Sequence, residues 1–312
     1  MSDQLDLWPE DAPGGRIAWS VSRHKRLGDC LRKYYLQHYG SRGGSKPDAP
    51  AEVRDVYMLK HLRSRHMWVG EVVHEMAELA LSAWRRGDTV PVAALVERGT
   101  RRMRAQYADS VQRFYRDRPR YVRGLMEHEY DDTVSREEWR AQHDRMERCL
   151  HTFFDLEITA TIRETPVWQW LALESFGSFD VDGTTVMVKP DFAWRADNDR
   201  IVIVDWKTGK PRPNDEWLQM AVYGLFARSA WGLRTEILDC RPVYLDTGEI
   251  SMFQLSDDDL RTALDEIRVS VKEMKRLAAL VVDGDLDPEA FPKTDDVSYC
   301  NHCNFRRVCV RP

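Results

Sequence analysis

The sequence has no long apolar run. Of its 312 residues, 43% are hydrophobic and 31% are charged, and no stretch approaches the roughly 18 apolar residues that a membrane-spanning helix needs. The segment from Met1 to Gly15 is acidic and carries Pro and Gly, where a signal peptide would have a basic start and an apolar middle. We therefore expect a flexible N-terminus at 1–15, no membrane association and a cytoplasmic location.

Internal repeats, low-complexity tracts and a phosphate-binding loop are absent as well. The pattern G-x-x-x-x-G-K-[S/T] does not occur, which excludes an ATPase of the P-loop class. A chain of 312 residues is nevertheless long enough to bury a substantial core, either as one large domain or as two closely joined ones.

Charge is distributed unevenly along the chain, although the net charge is only −5. Residues 1–130 contain 23 Lys and Arg against 17 Asp and Glu, a net charge of +6, and the remainder contains 23 against 34, a net charge of −11. Such basic runs are usually solvated helix faces, but they could also follow a phosphate backbone. The arginines in the two densest runs are Arg98, Arg101, Arg102, Arg104, Arg113, Arg116, Arg118, Arg120 and Arg123.

Hydrophobic spacing predicts a mainly helical first half and a mixed second half. The predicted helices span 20–39, 67–86, 91–118, 135–160, 213–231 and 256–282. The predicted strands span 168–176, 184–194, 201–206, 235–245 and 249–255. Strands flanked by helices indicate an α/β fold with a central mixed sheet. The expected division is a mainly helical region at 16–165, a core at 166–285 and a C-terminal segment at 286–312.

Two acidic residues and a lysine fall at the ends of neighbouring predicted strands. Asp191 follows Pro190, and 14 positions later comes Asp205, with Lys207 two residues beyond it. Residues i and i+2 share one face of a strand, so Asp205 and Lys207 point the same way and Trp206 points the opposite way. Two carboxylates on rigid backbone suit Mg²⁺ or Mn²⁺. The pattern predicts a cation site for phosphodiester hydrolysis, in which the lysine has a depressed pKa or acts as a positive charge.

Four further side chains could complete this site. Gln219 and Tyr223 lie four residues apart and share a helix face, although alone they would fit an ordinary buried helix. His74 could supply an imidazole ligand, although a single histidine in an amphipathic helix is usually structural. Glu174, in the first predicted strand, is a weaker candidate for a secondary ligand.

Three of the six cysteines are clustered near the C-terminus as C-x2-C-x5-C, at Cys300, Cys303 and Cys309. In a reducing compartment they are expected to bind a metal or cluster rather than form disulfides, and three thiolates need a fourth ligand. His302 could complete a zinc site, but its place between two ligands makes tetrahedral coordination awkward. The remaining isolated cysteines, Cys149 and Cys240, fit small buried side chains.

Taken in order, these motifs resemble those of the RecB-like PD-(D/E)xK nucleases. The matching patterns are G-x-x-x-H (Gly70, His74), P-D (Pro190, Asp191), V-D-W-K-T-G (Val204 to Gly209) and Q-x-x-x-Y (Gln219, Tyr223). The resemblance runs from about residue 20 to the C-terminus and implies a restriction-endonuclease-like core. Asp205 stands where some members of the family have Glu.

The resemblance also implies roles for the residues that match. His74, Asp191 and Asp205 would bind the divalent metal, Mg²⁺ or Mn²⁺. Lys207 would be catalytic, and Gln219 and Tyr223 would support the site and the DNA.

The cysteine arrangement is similar to that of the AddB-like and CRISPR-adaptation branch of the same family. In that branch, one cysteine before the nuclease core and three after it hold an iron–sulfur cluster that joins the two ends. The resemblance therefore implies a [4Fe-4S] cluster on Cys30, Cys300, Cys303 and Cys309.

The activity expected from this resemblance is metal-dependent hydrolysis of DNA, as an exonuclease on single-stranded ends or flaps, in repair, recombination or defence. A helicase or another DNA-processing protein could act as a partner. Two alternatives are a non-catalytic iron–sulfur protein that binds DNA or serves as an adaptor, and a zinc-stabilised scaffold. Aromatic residues among the arginines could stack on unpaired bases, or could simply belong to the core. They are Tyr34, Tyr35, Tyr107, Phe114 and Tyr115.

Overall fold

The computed structural model describes residues 17–196, 199–211, 213–281 and 288–309. The segment 1–15, predicted to be flexible, therefore lies outside the described residues. The helices are α1 (Val21–Asp29), α2 (Leu31–Tyr35), α3 (Ala51–Lys60), α4 (Arg65–Arg85), α5 (Val92–Val111), α6 (Met126–Glu129), α7 (Arg136–Asp155), α8 (Glu157–Glu164), α9 (Pro213–Trp231), α10 (Asp257–Ala279) and α11 (Val297–Asn301). The strands are β1 (Trp170–Leu173), β2 (Gly177–Val181), β3 (Thr184–Val188), β4 (Phe192–Arg195), β5 (Ile201–Lys207), β6 (Leu238–Tyr244) and β7 (Glu249–Ile250).

The chain divides into two compact units. We call Met1–Leu62, Ser178–Met187 and Arg261–Pro312 the terminal unit, and Arg63–Gly177 and Val188–Leu260 the central unit. None of the helices in the described parts of either unit combines the length and apolarity needed to cross a membrane.

The central unit is built on a five-stranded sheet with the order β1-β4-β5-β6-β7. β4 pairs antiparallel with both β1 and β5, β5 pairs parallel with β6, and β6 pairs antiparallel with β7. A parallel pair needs a crossover connection, and here α9 supplies it between β5 and β6. The predicted α/β fold with a central mixed sheet flanked by helices is confirmed.

The core of the central unit lies between one face of the sheet and helices α4, α5 and α7. Alternate residues of β5, at Val202, Val204 and Trp206, all belong to this core, as the two-residue period of a strand requires. The ring of Phe153 on α7 lies between two indoles, 5.8 Å from Trp84 and 5.0 Å from Trp206 between centroids. Aromatic packing of this kind fixes the position of β5 beneath α7.

Several predicted strands were too long. The strand predicted over 184–194 is two strands, β3 and β4, separated at Lys189 to Asp191, because Pro190 has no N–H to donate to a sheet ladder. The strand predicted over 249–255 is reduced to the two residues of β7 and an isolated bridge at Phe253. The first strand is only the four residues of β1, and residues 235–237 form a 3-10 turn ahead of β6. β2 was not predicted.

Three predicted helices also differ from the structure. The helix predicted over 20–39 is interrupted at Cys30, whose extended backbone (φ −166°, ψ 118°) ends α1 and whose sulfur accepts the N–H of Lys33 at the start of α2. The helix predicted over 135–160 is interrupted at the extended residue Leu156. The helix predicted over 91–118 ends at Val111. Helix α3 was not predicted.

In the terminal unit, the C-terminal segment packs on α2. The N–H of Arg32 donates to the carbonyl of Pro292 at 3.1 Å, and its guanidinium donates to the carbonyl of Phe291 and to the carboxylate of Glu289, each at 2.9 Å. The ring of Phe291 is fully buried and lies 5.0 Å from that of Tyr35. These contacts bring the segment that carries three cysteines to the segment that carries Cys30.

We expect Phe153→Ala to destabilise the central unit by about 3–5 kcal/mol, because it removes a fully buried ring from between two indoles. Urea unfolding followed by tryptophan fluorescence would show a lower midpoint for the transition of this unit. Phe114→Ala is the matched control, since that ring is 48% exposed and its removal should leave the midpoint nearly unchanged. Equal midpoints for the two variants would contradict the packing described for Phe153.

Candidate active site

Antiparallel pairing of β4 with β5 brings Asp191 next to the end of β5. Phe192 is paired with Val204, so the residue before β4 lies beside the residues that follow Val204. The N–H of Trp206 donates to Oδ2 of Asp191 at 2.7 Å. The indole of Trp206 points into the core, as the alternation of the strand predicts. Asp191 lies immediately before β4, in the connection from β3, rather than at the end of a strand.

Asp205 is held by three side chains that the sequence also singled out. Its Oδ1 accepts hydrogen bonds from Gln219 at 2.8 Å and from the hydroxyl of Tyr223 at 2.9 Å. Its Oδ2 lies 2.5 Å from Nζ of Lys207 in an ion pair. Lys207 also donates to the amide oxygen of Gln219 at 3.0 Å. The four residues therefore form one connected network, in which Gln219 contacts each of the other three.

His74 approaches the carboxylates from helix α4. Its Nδ1 lies 3.5 Å from Oδ1 of Asp191 and 3.9 Å from Oε1 of Glu174. The ligand atoms of these three residues all lie within 4.8 Å of one another, close enough to share one cation. Asp205, which was expected in the ligand set, is not part of this group, and its Oδ2 is paired with Lys207.

Glu174 lies just after β1 rather than within it. Its backbone is left-handed (φ 46°), and its N–H donates to the carbonyl of Asp191 at 2.9 Å. A non-glycine residue in this conformation is strained and is held by its surroundings. The carboxylate is buried and pairs with Nζ of Lys189 at 2.6 Å. Glu174 is therefore fixed at both its backbone and its side chain.

The glycine of the G-x-x-x-H motif allows α4 to lie against the turn after β5. A Cβ added at Gly70 would lie 3.1 Å from Oγ1 of Thr208, closer than an ordinary contact. Arg145 on α7 donates a hydrogen bond to the carbonyl of Thr208. The turn that follows Lys207 is thus held from both helices, and His74, one helical turn after Gly70, faces the carboxylates.

Burial and neighbouring charges set the protonation of the centre. Burial raises the pKa of Asp191 to about 6, against the lowering effect of His74. Burial alone would lower the pKa of His74, but the carboxylates of Asp191 and Glu174 raise it well above its usual value. Burial would likewise lower the pKa of Lys207, but Asp205 raises it. Lys207 is therefore an ammonium in this structure, and the depressed pKa that the sequence left open for it is not found.

Three participants were not found from the sequence. The ammonium of Lys189 forms an ion pair with the carboxylate of Glu174. Its backbone carbonyl accepts a hydrogen bond from the hydroxyl of Tyr223 at 3.2 Å. Its position directly before Pro190 was the only available signal. The backbone N–H of Trp206 donates to the carboxylate of Asp191, and the guanidinium of Arg145 donates to the backbone carbonyl of Thr208. No sequence pattern marks contacts that involve backbone atoms.

Two of the five aromatic residues that could either stack on bases or belong to the core are core residues. Tyr34 and Tyr115 are fully buried, and their hydroxyls are hydrogen-bonded to Arg23 and Glu129 respectively. Many of the arginines in the basic runs are already paired with carboxylates, among them Arg101, Arg102, Arg113, Arg116 and Arg123. The basic runs are therefore less available to phosphates than their sequence suggests.

In the terminal unit, four cysteines line one cavity of about 280 Å³. They are Cys30, Cys300, Cys303 and Cys309. Backbone N–H groups donate to two of the sulfur atoms, from Lys33 to Cys30 at 3.5 Å and from Phe305 to Cys303 at 3.4 Å. Burial raises the pKa of the Cys303 thiol, and the N–H of Phe305 opposes that rise. The cavity thus brings together four thiols, two of which accept hydrogen bonds from backbone N–H groups.

A zinc site with His302 is less compatible with this geometry. His302 is exposed and is not among the residues that line the cavity. The cysteine sulfurs do not form a group of three within 4.8 Å of one another among the described residues. Zinc–sulfur bonds of about 2.3 Å would require closer spacing.

A family model described as the PD-(D/E)XK nuclease superfamily matches residues 18–310. The chain belongs to the PD-(D/E)XK nuclease superfamily. The match covers every residue of the candidate site and all four cysteines of the terminal unit's cavity. Membership of this superfamily supports a nuclease activity that uses a divalent metal, and the group formed by His74, Glu174 and Asp191 could bind one.

Two solved structures are similar to this chain, but more weakly than the family model is. A candidate exonuclease from Eubacterium rectale is 14% identical, with 99% of this chain and 94% of that chain covered and a TM-score of 0.48. The protein SSO0001 is 10% identical, with 59% of this chain and 91% of that chain covered and a TM-score of 0.29. No curated protein matches the sequence. The family model is therefore the basis of the assignment.

We expect Tyr223→Phe to weaken Mn²⁺ binding by about tenfold, because residues that support metal ligands typically contribute that much to affinity. The substitution removes the hydroxyl that bonds Oδ1 of Asp205 and the carbonyl of Lys189 but keeps the ring. Calorimetric titration with Mn²⁺ would measure the change. Tyr121→Phe is the control, since that side chain is 72% exposed; identical affinities in the two variants would contradict a supporting role for Tyr223.

Proposed function

We propose that this protein is a metal-dependent deoxyribonuclease that acts as an exonuclease on single-stranded ends or flaps. The observation that supports the proposal most strongly is the convergence of Asp191, Asp205 and Lys207, with His74 beside them. Each of these side chains belongs to a family motif, and each is supported by a contact of its own. A protein that only bound DNA would not need an ammonium paired with one carboxylate and an imidazole beside another.

In the proposed reaction, His74 and Asp191 would hold the cation together with Asp205, whose Oδ2 is paired with Lys207 in this structure, and Glu174 would assist from its place beside His74 and Asp191. A bound divalent cation would lower the pKa of an attacking water and neutralise charge on the phosphate. Lys207, kept protonated by Asp205, places a positive charge beside the scissile phosphate and stabilises the charge that grows there. Gln219 keeps the ammonium in position, because it contacts both Lys207 and Asp205.

We also propose that the four cysteines of the terminal unit bind a [4Fe-4S] cluster. The cavity that they line is supported by the packing of the C-terminal segment on α2, through the three hydrogen bonds of Arg32. In this proposal the cluster is structural: it fixes the segment 288–309 to the first helices.

We expect Lys207→Ala to reduce cleavage of labelled single-stranded DNA in Mn²⁺ by about 100-fold or more, because it removes a charge that stabilises the transition state. Lys210→Ala is the matched control, since Lys210 is exposed and lies three residues further along the chain. The Lys210→Ala variant should cleave the DNA at the rate of the unsubstituted protein. EDTA should abolish cleavage by this variant and by the unsubstituted protein.

The choice of substrate separates the finer parts of the proposal. An exonuclease should digest linear but not circular single-stranded DNA of the same sequence. Cleavage of the circle would contradict the exonuclease proposal but not the nuclease proposal. Undiminished cleavage by Lys207→Ala, or absence of metal-dependent cleavage in the unsubstituted protein, would instead favour the non-catalytic alternative.

We expect Cys303→Ser to remove absorbance near 400 nm from anaerobically purified protein, because it removes one thiolate of the proposed cluster. Cys149→Ser is the matched control: Cys149 is also buried, but it lies in the core of the central unit. A colourless unsubstituted protein that contains zinc would overturn the cluster proposal in favour of a zinc-stabilised scaffold.

A further inference from the structure

A groove of the central unit lies between helices α5 and α7, and its volume is about 550 Å³. Trp68 on α4 lines it, and none of the residues that line it belongs to the carboxylate centre. The groove is therefore separate from the proposed active site.

The floor of this α5–α7 groove is aromatic. Tyr107 and Trp139 line it, with ring centroids 5.1 Å apart in an edge-to-face arrangement. Both side chains are half-buried, so part of each ring is open to a ligand. Trp68 completes the floor and is fixed by a hydrogen bond from its indole N–H to Gln106 at 2.7 Å. The two rings are nearly perpendicular, at 83°, so a planar base can stack on the open part of one ring with the other ring beside it.

The rim of the groove carries charge of both signs. Arg104 on α5 and Arg140 on α7 line it, and neither guanidinium is ion-paired among the residues that the structure describes. They differ in this respect from Arg101, Arg102 and Arg113, whose charges are neutralised by carboxylates. Unpaired guanidinium groups are strong donors to phosphate oxygens.

Two carboxylates, of Asp144 and Glu147, line the same groove. When ionised, these carboxylates only accept hydrogen bonds, so they complement the amino groups of adenine, guanine or cytosine. Thymine has no amino group and could offer them only its ring N–H. His143 lies beside them and is held by Thr100, with Nε2 and Oγ1 2.9 Å apart. Negative charge at this end would repel a phosphate, which therefore belongs at the arginine end.

We propose that the α5–α7 groove binds an unpaired nucleotide, with its base stacked on Trp139 beside Tyr107 and its phosphate at Arg104 and Arg140. The nucleotide could be free or part of a single strand, since both present the same base and phosphate. The inference does not depend on the proposed hydrolysis, because the groove shares no residue with the carboxylate centre.

The test is quenching of tryptophan fluorescence in EDTA, which prevents metal-dependent cutting. The two probes are deoxyadenosine monophosphate and a short single-stranded oligodeoxyadenylate. Saturable quenching is expected with at least one probe. Quenching by the mononucleotide would identify a site for free nucleotides, and quenching by the oligonucleotide alone would identify a site for a nucleotide within a strand.

Substitutions in the groove test which residues bind the base and the phosphate. Trp139→Leu should weaken binding about tenfold, the loss expected for one stacked base, and Trp139→Phe, which keeps a ring, should restore most of it. Arg104→Gln should weaken binding of the phosphorylated probe but not of deoxyadenosine. Because Trp139→Leu also removes a fluorophore, its affinity would be measured by the anisotropy of a labelled probe.

Controls come from the same unit. Trp168→Leu removes an indole that is 78% exposed and lies outside the groove, and Arg98→Gln removes an exposed guanidinium on the same helix as Arg104. Neither should change the affinity. Absence of saturable binding by both probes, or equal affinities for Trp139→Leu and Trp168→Leu, would overturn the proposal. Thymidine monophosphate binding as tightly as the adenine nucleotide would overturn the role given to the two carboxylates.

Discussion

The hydrogen bond from the N–H of Trp206 to the carboxylate of Asp191 is the contact on which the rest of the central unit depends. Asp191 does not belong to β5, yet it is attached to the backbone between Asp205 and Lys207. Movement of one carboxylate relative to the other would break this bond and leave a buried donor without a partner, which is costly. On the opposite face, the indole of Trp206 is held by Phe153. The spacing of the charged groups is therefore determined by the packing of the core.

The centre balances its charges pairwise. Asp205 is paired with Lys207, Glu174 with Lys189, and Asp191 lies beside His74. A buried carboxylate without such a partner would be neutralised by a shift in its pKa, and the pKa of Asp191 is raised by its burial and by the neighbouring carboxylates of Asp205 and Glu174. A divalent cation placed among these groups would supply the missing charge. All of these paired residues lie in the central unit.

The sequence predicted which of these side chains lie together better than it predicted the elements that carry them. The two-residue period of a strand correctly placed Asp205 and Lys207 on one face and Trp206 on the other, and helical spacing placed Gln219 and Tyr223 together. Strand and helix ends were less accurate, because they depend on single residues: Pro190 divides one predicted strand, and extended backbone at Cys30 divides one predicted helix. The roles of Lys189 and Arg145 depend on tertiary contacts that no local pattern reveals, and the same is true of the groove between α5 and α7.

The central proposal is that one divalent cation binds at His74, Asp191 and Asp205. Crystals soaked in Mn²⁺ test it directly through the anomalous signal of manganese. We expect a single strong peak within bonding distance of these three side chains, with Lys207 displaced from Oδ2 of Asp205. A peak at His143, Asp144 and Glu147 instead, the other described group whose ligand atoms lie within 4.8 Å of one another, or no peak at all, would contradict the account.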